Sequence, residues 1–440
     1  MSSRRDAVSL VSDRDARYVQ ALTLKLVALS TGNLGLSFLF QWYVLTQVGP
    51  GVATDALFAG MAVPQVILAI VANSLTHVLV PLLAGEDEAI MRRDAWTFLC
   101  LTGAAFGGMA LLLIALAPAW VGALLPGFSA DALDLALTLT QIQLIGMVFA
   151  AISGVQTALH HAQGRFVWPE LSQAVIGAGI FAGLVIALPR FGVFAAAWLA
   201  TLRLVLQTLA LMPAMGRPRR LTLANPTISS AWKRMQPLIL GTAYYKTDPL
   251  IDRFLLSYAV AGSMSLYYLA QQIYGAVAQI LSKAVVAPLV PVLGRSFKQG
   301  DLAAFRQAWR GRLVALIVVC VVAVAGLVLV GLPFLRLLVG HGSVTDSNVS
   351  TLWWIMVWLV GMFVGSVVGQ IAATTFYAQG DTRTPTRISV WTYTGYIPAK
   401  IAAFFFGGVA GLAVITSVYY MLNALLLLHG LRTRNGLGDR

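Results

Sequence analysis

The chain of 440 residues is 58% hydrophobic and 11% charged, with a net charge of +13 and a mean hydropathy of +0.80. An ordinary soluble domain is excluded, since soluble domains are about 45–50% apolar and about 25% charged. Because the basic residues lie in short connections between apolar stretches, the positive charge indicates contact with anionic lipid, and we predict no nucleic-acid partner.

Twelve apolar stretches follow one another along the chain, each near the ~20 residues that a helix needs to cross a bilayer. The pattern predicts an all-α polytopic membrane protein. The predicted spans are residues 21–48, 54–83, 95–119, 133–160, 167–188, 192–214, 233–260, 264–294, 311–339, 349–378, 385–406 and 408–430.

Successive connections between the predicted spans lie on alternate sides of the membrane, and basic residues are distributed unequally between the two sides. One set, which includes both ends of the chain, carries about 22 Lys and Arg residues, whereas the other carries only Arg190 and Arg336. Positively charged connections face the cytoplasm. The sequence therefore predicts cytoplasmic segments at 1–20 and 431–440, with both termini on the same side.

An internal repeat appears at a spacing of about 210–216 residues. Residues 79–83 (LVPLL) recur as 289–293 (LVPVL), 162–164 (AQG) as 378–380, and 192–193 (GV) as 408–409. Parallel repeats of six helices are typical of transporters. We predict an N-terminal lobe at 21–215, a linker at 216–232 and a C-terminal lobe at 233–430.

Signatures of an enzyme are missing from the pattern. The sequence contains no phosphate-binding glycine loop and no convincing nucleophile, base or metal-ligand spacing, so it predicts a transporter without a cofactor. The two cysteines, Cys100 and Cys320, fall inside apolar spans and are interpreted as small buried hydrophobic residues.

Charged residues inside the spans are the main candidates for a site, because a charge near a helix centre costs about 2.5–3.5 kcal/mol unless it meets a partner or water. The candidate cations for binding substrate are Lys246, Arg253, Arg203 and Lys400, and the candidate acids for ion coupling are Asp252, Asp55 and Asp248. Snorkelling explains Lys25 near the end of the first span.

The seventh span is the richest in charge. Lys246 and Arg253 are seven residues apart and share one helical face, while Asp248 and Asp252, four apart, share another. Pro249 lacks a backbone N–H and weakens the helix between them. Two interpretations stay open: a cationic face that meets a phosphate, or internal neutralisation among helices.

Neutral and terminal residues add further candidates. Gln41, Gln271 and Gln272 lie within spans and are predicted to bond the sugars of a substrate, although most such residues bond other helices. Asp55 lies where the second span begins, so a helix N-cap is the alternative to its role in ion coupling.

Several motifs resemble the MurJ (MviN) family, in order and across most of residues 25–430. They are 49–58 (GPGVATDALF), 79–81 (LVP), 126–128 (PGF), 250–253 (LIDR) and 376–385 (FYAQGDTRTP). The resemblance implies the multidrug/oligosaccharidyl-lipid/polysaccharide (MOP) exporter fold and a location in the bacterial cytoplasmic membrane. It also implies a flippase that moves lipid II or another polyprenyl-diphosphate-linked glycan outward by alternating access, with membrane lipid and cell-wall or polysaccharide synthesis proteins as partners.

The sequence departs from the family at its cationic residues. Asp55 is retained, but the family's arginines in the first two helices and its Asp-Arg pair in the eighth align with Leu34, Phe40, Leu68, Ala69 and Gln271-Gln272. Arginine is the strongest bidentate partner of a phosphate, so either other cations replace it or the substrate differs. The alternatives are an ion-coupled exporter of small molecules and a scaffold in a glycan-assembly complex.

Overall fold

The computed structural model describes residues 2–218 and 226–436, and within these ranges the chain forms fourteen α-helices. The helices are α1 (Ser2–Val48), α2 (Val52–Leu83), α3 (Glu88–Ala115), α4 (Ala117–Leu124), α5 (Ala130–Ala162), α6 (Val167–Leu211), α7 (Pro226–Lys246), α8 (Asp248–Leu256), α9 (Ser263–Leu281), α10 (Ala287–Lys298), α11 (Leu302–Val339), α12 (Asp346–Trp358), α13 (Val360–Ala378) and α14 (Arg383–Gly436). A π-helical turn, Ser282–Val286, joins α9 to α10.

Nine helical stretches of the described ranges are long and apolar enough to cross a membrane. They are Leu22–Val48, Val52–Val71, Glu88–Ala115, Ala130–Ala162, Val167–Met215, Ser263–Lys298, Leu302–Val339, Val360–Ala378 and Arg383–Thr433. Two of them, with 49 and 51 residues, are long enough for two crossings each. The predicted all-α polytopic membrane fold is confirmed.

Glycine breaks divide the two longest stretches. Gly192 in α6 has φ 55° and ψ −145°, and Gly408 in α14 has φ 57° and ψ −141°. Only glycine adopts this conformation readily, so each long helix turns into a second span at that residue. Gly164 and Gly380, with φ 73° and 75°, match in the same way. The repeat seen in the sequence is therefore also a repeat of backbone conformation.

Contacts divide the chain into two compact units. Unit 1 comprises Met1–Phe40, Ile67–Ala115 and Ile142–Gly241, and unit 2 comprises Gln41–Val66, Leu116–Gln141 and Thr242–Arg440. These units comprise other residue ranges than the two lobes predicted from the repeat. The boundaries of those lobes stay a prediction.

Each unit has its own apolar core. In unit 1, Leu79, Leu83 and Leu159 are completely or almost completely buried among α2, α3 and α5. In unit 2, α13 and α14 approach closely where Gly365 lies against the backbone of Tyr420, and a side chain at that position would collide with it. Small residues allow such close contact between membrane helices.

The segment predicted as a linker, 216–232, falls partly at 219–225, outside the described residues. Its last part belongs to α7, which begins at Pro226, seven residues before the predicted start of the seventh span. Proline is tolerated in the first turn of a helix, where its missing N–H has no helical partner. At the other end of the chain, 437–440 of the predicted tail also lie outside the described residues.

Candidate transport site

The seventh predicted span is broken. α7 ends at Lys246, and α8 begins two residues later with Pro249 in its first turn. Thr247 lies in the break, and its hydroxyl donates to the carbonyl of Tyr244 at 2.7 Å. The predicted weak point at Pro249 is confirmed. As a result, Lys246 and Arg253 lie on two separate helices and not along one continuous face.

A buried ion triad brings together three of the predicted site residues. Lys400 Nζ on α14 lies 2.6 Å from Asp248 Oδ1 and 2.7 Å from Asp252 Oδ1, both on α8. The side chain of Lys400 is 0% exposed, that of Asp252 2% and that of Asp248 17%. Removal of one partner would leave a buried charge without compensation. The one-turn spacing of the two aspartates therefore serves to neutralise a lysine.

Aromatic hydroxyls surround this triad, and none of them is a predicted site residue. The ring of Tyr396 lies 5.0 Å from Lys400 Nζ and stacks on Tyr419 with centroids 4.3 Å apart. Thr416 Oγ1 lies 2.8 Å from the Tyr396 hydroxyl and 3.3 Å from the Tyr267 hydroxyl. The sequence spacing could have indicated Tyr396, because it precedes Lys400 by one helical turn and shares its face.

Arg253 is buried against an aromatic ring. It is 2% exposed, and its Cζ lies 4.8 Å from the ring centroid of Tyr268, which stacks on Phe58. The Tyr268 hydroxyl accepts hydrogen bonds from Gln41 Nε2 at 3.5 Å and from Gln65 Nε2 at 3.4 Å. A cation over a ring face is stabilised by the ring quadrupole. Arg253 is thus held inside unit 2, together with the predicted residue Gln41.

The two glutamines of α9 differ in their contacts. Gln271 Nε2 donates to Asp252 Oδ2 at 3.3 Å, so its amide belongs to the surroundings of the triad. Gln272 is half-buried. Binding of sugars by these residues stays a prediction.

Asp55 caps a helix, but not the helix on which it lies. Its two carboxylate oxygens accept hydrogen bonds from the backbone N–H groups of Gly262 (2.6 Å) and Ser265 (2.7 Å), at the start of α9. Thr54 Oγ1 also lies 3.3 Å from Ser265 Oγ. A carboxylate is favoured at a helix N-terminus, where free N–H groups and the helix dipole meet it. The capping interpretation therefore describes the contacts of Asp55, with α9 as the capped helix.

Unit 1 holds a separate polar cluster around Arg203 and Glu170. Arg203 Nη1 donates to Ser37 Oγ at 3.1 Å, and Ser37 Oγ donates to the carbonyl of Asn33 at 2.9 Å. Glu170 Oε2 accepts from Asn33 Nδ2 at 3.0 Å and from Ser30 Oγ at 3.2 Å. Glu170 was not among the predicted site residues, although it lies at the start of the predicted span 167–188. The feature that could have indicated Glu170 is its position as an acid within the first turn of an apolar span.

Three of the predicted cations, Lys246, Arg203 and Arg253, form no ion pair with an acid among the described residues. Within the described part of the chain, Lys246 makes no ion pair or hydrogen bond, and Arg203 bonds only the neutral Ser37. Both side chains are partly exposed. A membrane-embedded cation of this kind needs water or an anion as partner. Arg253 differs from Lys246 and Arg203 in being almost completely buried, at 2% exposed.

The fold matches those of solved membrane transporters. A structure of "Lipid II flippase MurJ, inward closed conformation" aligns with a TM-score of 0.81 and 15% identity, over 92% of this chain and 87% of that chain. An inward-facing multidrug resistance MATE family transporter of the MOP superfamily aligns with a TM-score of 0.71 and 14% identity, over 94% of each chain. The chain therefore has the polytopic helical fold of the MOP exporters.

Within this class, the chain belongs to the MurJ family: the family model "Lipid II flippase MurJ" matches residues 44–440. The lipid II flippase MurJ of Burkholderia cenocepacia is 22% identical over 411 residues, which cover 87% of this chain and 77% of that protein. The probable lipid II flippase MurJ of Vibrio cholerae is 25% identical over 209 residues, 47% of this chain but only 39% of that relative. The resemblance noted from the sequence motifs is confirmed.

Proposed function

We propose that this protein is a flippase that moves a polyprenyl-diphosphate-linked glycan, lipid II or a related lipid, from the inner to the outer leaflet of the bacterial cytoplasmic membrane. The observation that carries the proposal is the family match over residues 44–440, because it covers nearly the whole chain. Transport would proceed by alternating access without ATP hydrolysis by this chain. Both termini would face the cytoplasm, as the distribution of basic residues indicates.

The diphosphate would be bound by Lys246 of unit 2. Support comes from its partial exposure and from the lack of an acidic partner within the described residues, which leaves its charge available. Lys400 and Arg253 are less suited to this role, since both are buried and Lys400 is already paired with two carboxylates. Gln272 would contact the glycan, while proteins of cell-wall or polysaccharide synthesis would supply and use the lipid.

The test uses cells depleted of their own lipid II flippase. The wild-type chain should restore access of an externally added lipid II-cleaving enzyme to its substrate. Lys246→Gln should reduce the rate by about tenfold or more, since a hydrogen bond to a charged group contributes about 1.5–3 kcal/mol. Lys25→Gln is the matched control, because it removes an exposed lysine of another span.

The outcomes test separately which lipid is transported and whether Lys246 binds it. A wild-type chain that inserts normally but exposes no lipid II would assign the protein to another lipid-linked glycan. A Lys246→Gln variant as active as Lys25→Gln would remove Lys246 from the binding site.

A further inference from the structure

The contacts of Lys400 resemble those of a bound cation between two carboxylates. Its ammonium lies 2.6 Å from Asp248 and 2.7 Å from Asp252, and the lysine is completely buried. The described residues contain no group of three or more His, Cys, Asp or Glu side chains that could hold a metal ion. At this acidic pair, the positive charge comes from the chain itself.

The charges around the triad balance. Lys400 and Arg253 contribute two positive charges, and Asp248 and Asp252 contribute two negative ones. A third acid, Asp55, acts on Arg253, and its negative charge is stabilised by hydrogen bonds from two amides at the N-terminus of α9. Neutral groups also face the triad, among them the amide of Gln271 on α9 and the hydroxyls of Tyr267 on α9 and Tyr396 on α14. A metal cation added between the aspartates would leave an uncompensated positive charge in a buried site, which is costly.

We propose that Lys400 is a built-in counter-ion that takes the place of a coupling metal cation, so that Asp248 and Asp252 bind no external cation in the wild-type protein. A coupling ion must enter from one side of the membrane and leave on the other. The ammonium of Lys400 is covalently tethered and cannot be exchanged in this way. The proposal assigns a different role to the two aspartates than the ion coupling predicted from the sequence, and it does not depend on which lipid is transported.

The experiment measures thermal unfolding of the purified full-length protein in NaCl and in choline chloride, at equal ionic strength and pH 8. The wild-type midpoint should be the same in both salts. Lys400→Met leaves a net negative charge between the aspartates, so Na⁺ should now bind and raise its midpoint by about 2–4 °C, as expected for saturating ligand. The double variant Lys400→Met/Asp252→Asn restores neutrality and should lose this response.

Each result decides the matter. Specific stabilisation of the wild-type protein by Na⁺, or its saturable uptake of radioactive Na⁺, would overturn the proposal whatever the variants do. A folded Lys400→Met variant that responds equally to Na⁺ and choline would also overturn it. If Lys400→Met does not fold, Lys400→Gln serves instead, and the wild-type measurement remains decisive. Because the readout is cation binding, failure of this inference differs from failure of the proposed transport of lipid.

Discussion

The contact between Asp55 and the start of α9 offers a sharp test of the structure. The carboxylate is 4% exposed and accepts hydrogen bonds from the N–H groups of Gly262 and Ser265 at 2.6 and 2.7 Å. In Asp55→Ala both amides would lose their partner inside the protein. The substitution therefore acts locally, by removing the cap from the N-terminus of α9.

The size of the expected loss in free energy of unfolding follows from these two hydrogen bonds. Loss of an ordinary capping side chain costs about 0.5–2 kcal/mol, but each buried group left unpaired costs about 1–3 kcal/mol. With two amides affected and little access of water, we expect Asp55→Ala to lower the free energy of unfolding by about 3 kcal/mol. Asp55→Asn keeps one acceptor oxygen and should lose about half as much.

The assay is thermal unfolding of the purified protein, followed by the loss of monodisperse protein on heating. Asp131→Ala is the matched control, because Asp131 is also an acid in the first turn of a helix but is exposed. An exposed substitution of this kind changes stability by about 0.5 kcal/mol or less. If Asp55→Ala unfolds at the same temperature as Asp131→Ala, the capping contact is not present in the protein.

The same variants separate capping from ion coupling. If Asp55 acts only as a cap, transport by Asp55→Asn should fall in proportion to the amount of folded protein. Retained stability with complete loss of transport would instead support the coupling role predicted from the sequence.

The fold could be predicted because membrane crossing imposes strong local rules. Apolar length and the positions of basic residues are properties of short windows of sequence, and the repeat is visible by direct comparison of the two halves of the chain. The division at Gly408 and the break before Pro249 were predictable for the same reason, since glycine and proline restrict the backbone by their own chemistry.

The partners of the charged residues could not be predicted. The sequence placed Lys400, Asp248 and Asp252 within spans, but Lys400 is separated from Asp248 by 152 residues. Pairing at this distance depends on which faces of two helices meet, and helical periodicity alone does not determine this. The same reason explains why Asp55 was matched to its own helix and not to α9, whose amides it binds. Between the two interpretations of α8, the contacts favour neutralisation.

Two further predictions concern the interior of unit 2 and the broken helix. Tyr268→Phe keeps the ring beneath the guanidinium but removes the acceptor of Gln41 and Gln65, so thermal unfolding should show a loss of about 1–2 kcal/mol. An unchanged midpoint would show that these amides find other partners. Gly408→Ala should be destabilising by about 1–3 kcal/mol, since φ 57° and ψ −141° are strained for any residue with a Cβ. No atom lies within 4 Å of the added methyl group, so this cost arises from the backbone and not from a collision. Gly407→Ala is the matched control: it is equally open, but its φ is not positive, and it should unfold like the wild type. Equal midpoints for the two alanine variants would mean that the chain does not break at Gly408, and that α14 does not divide into two spans there.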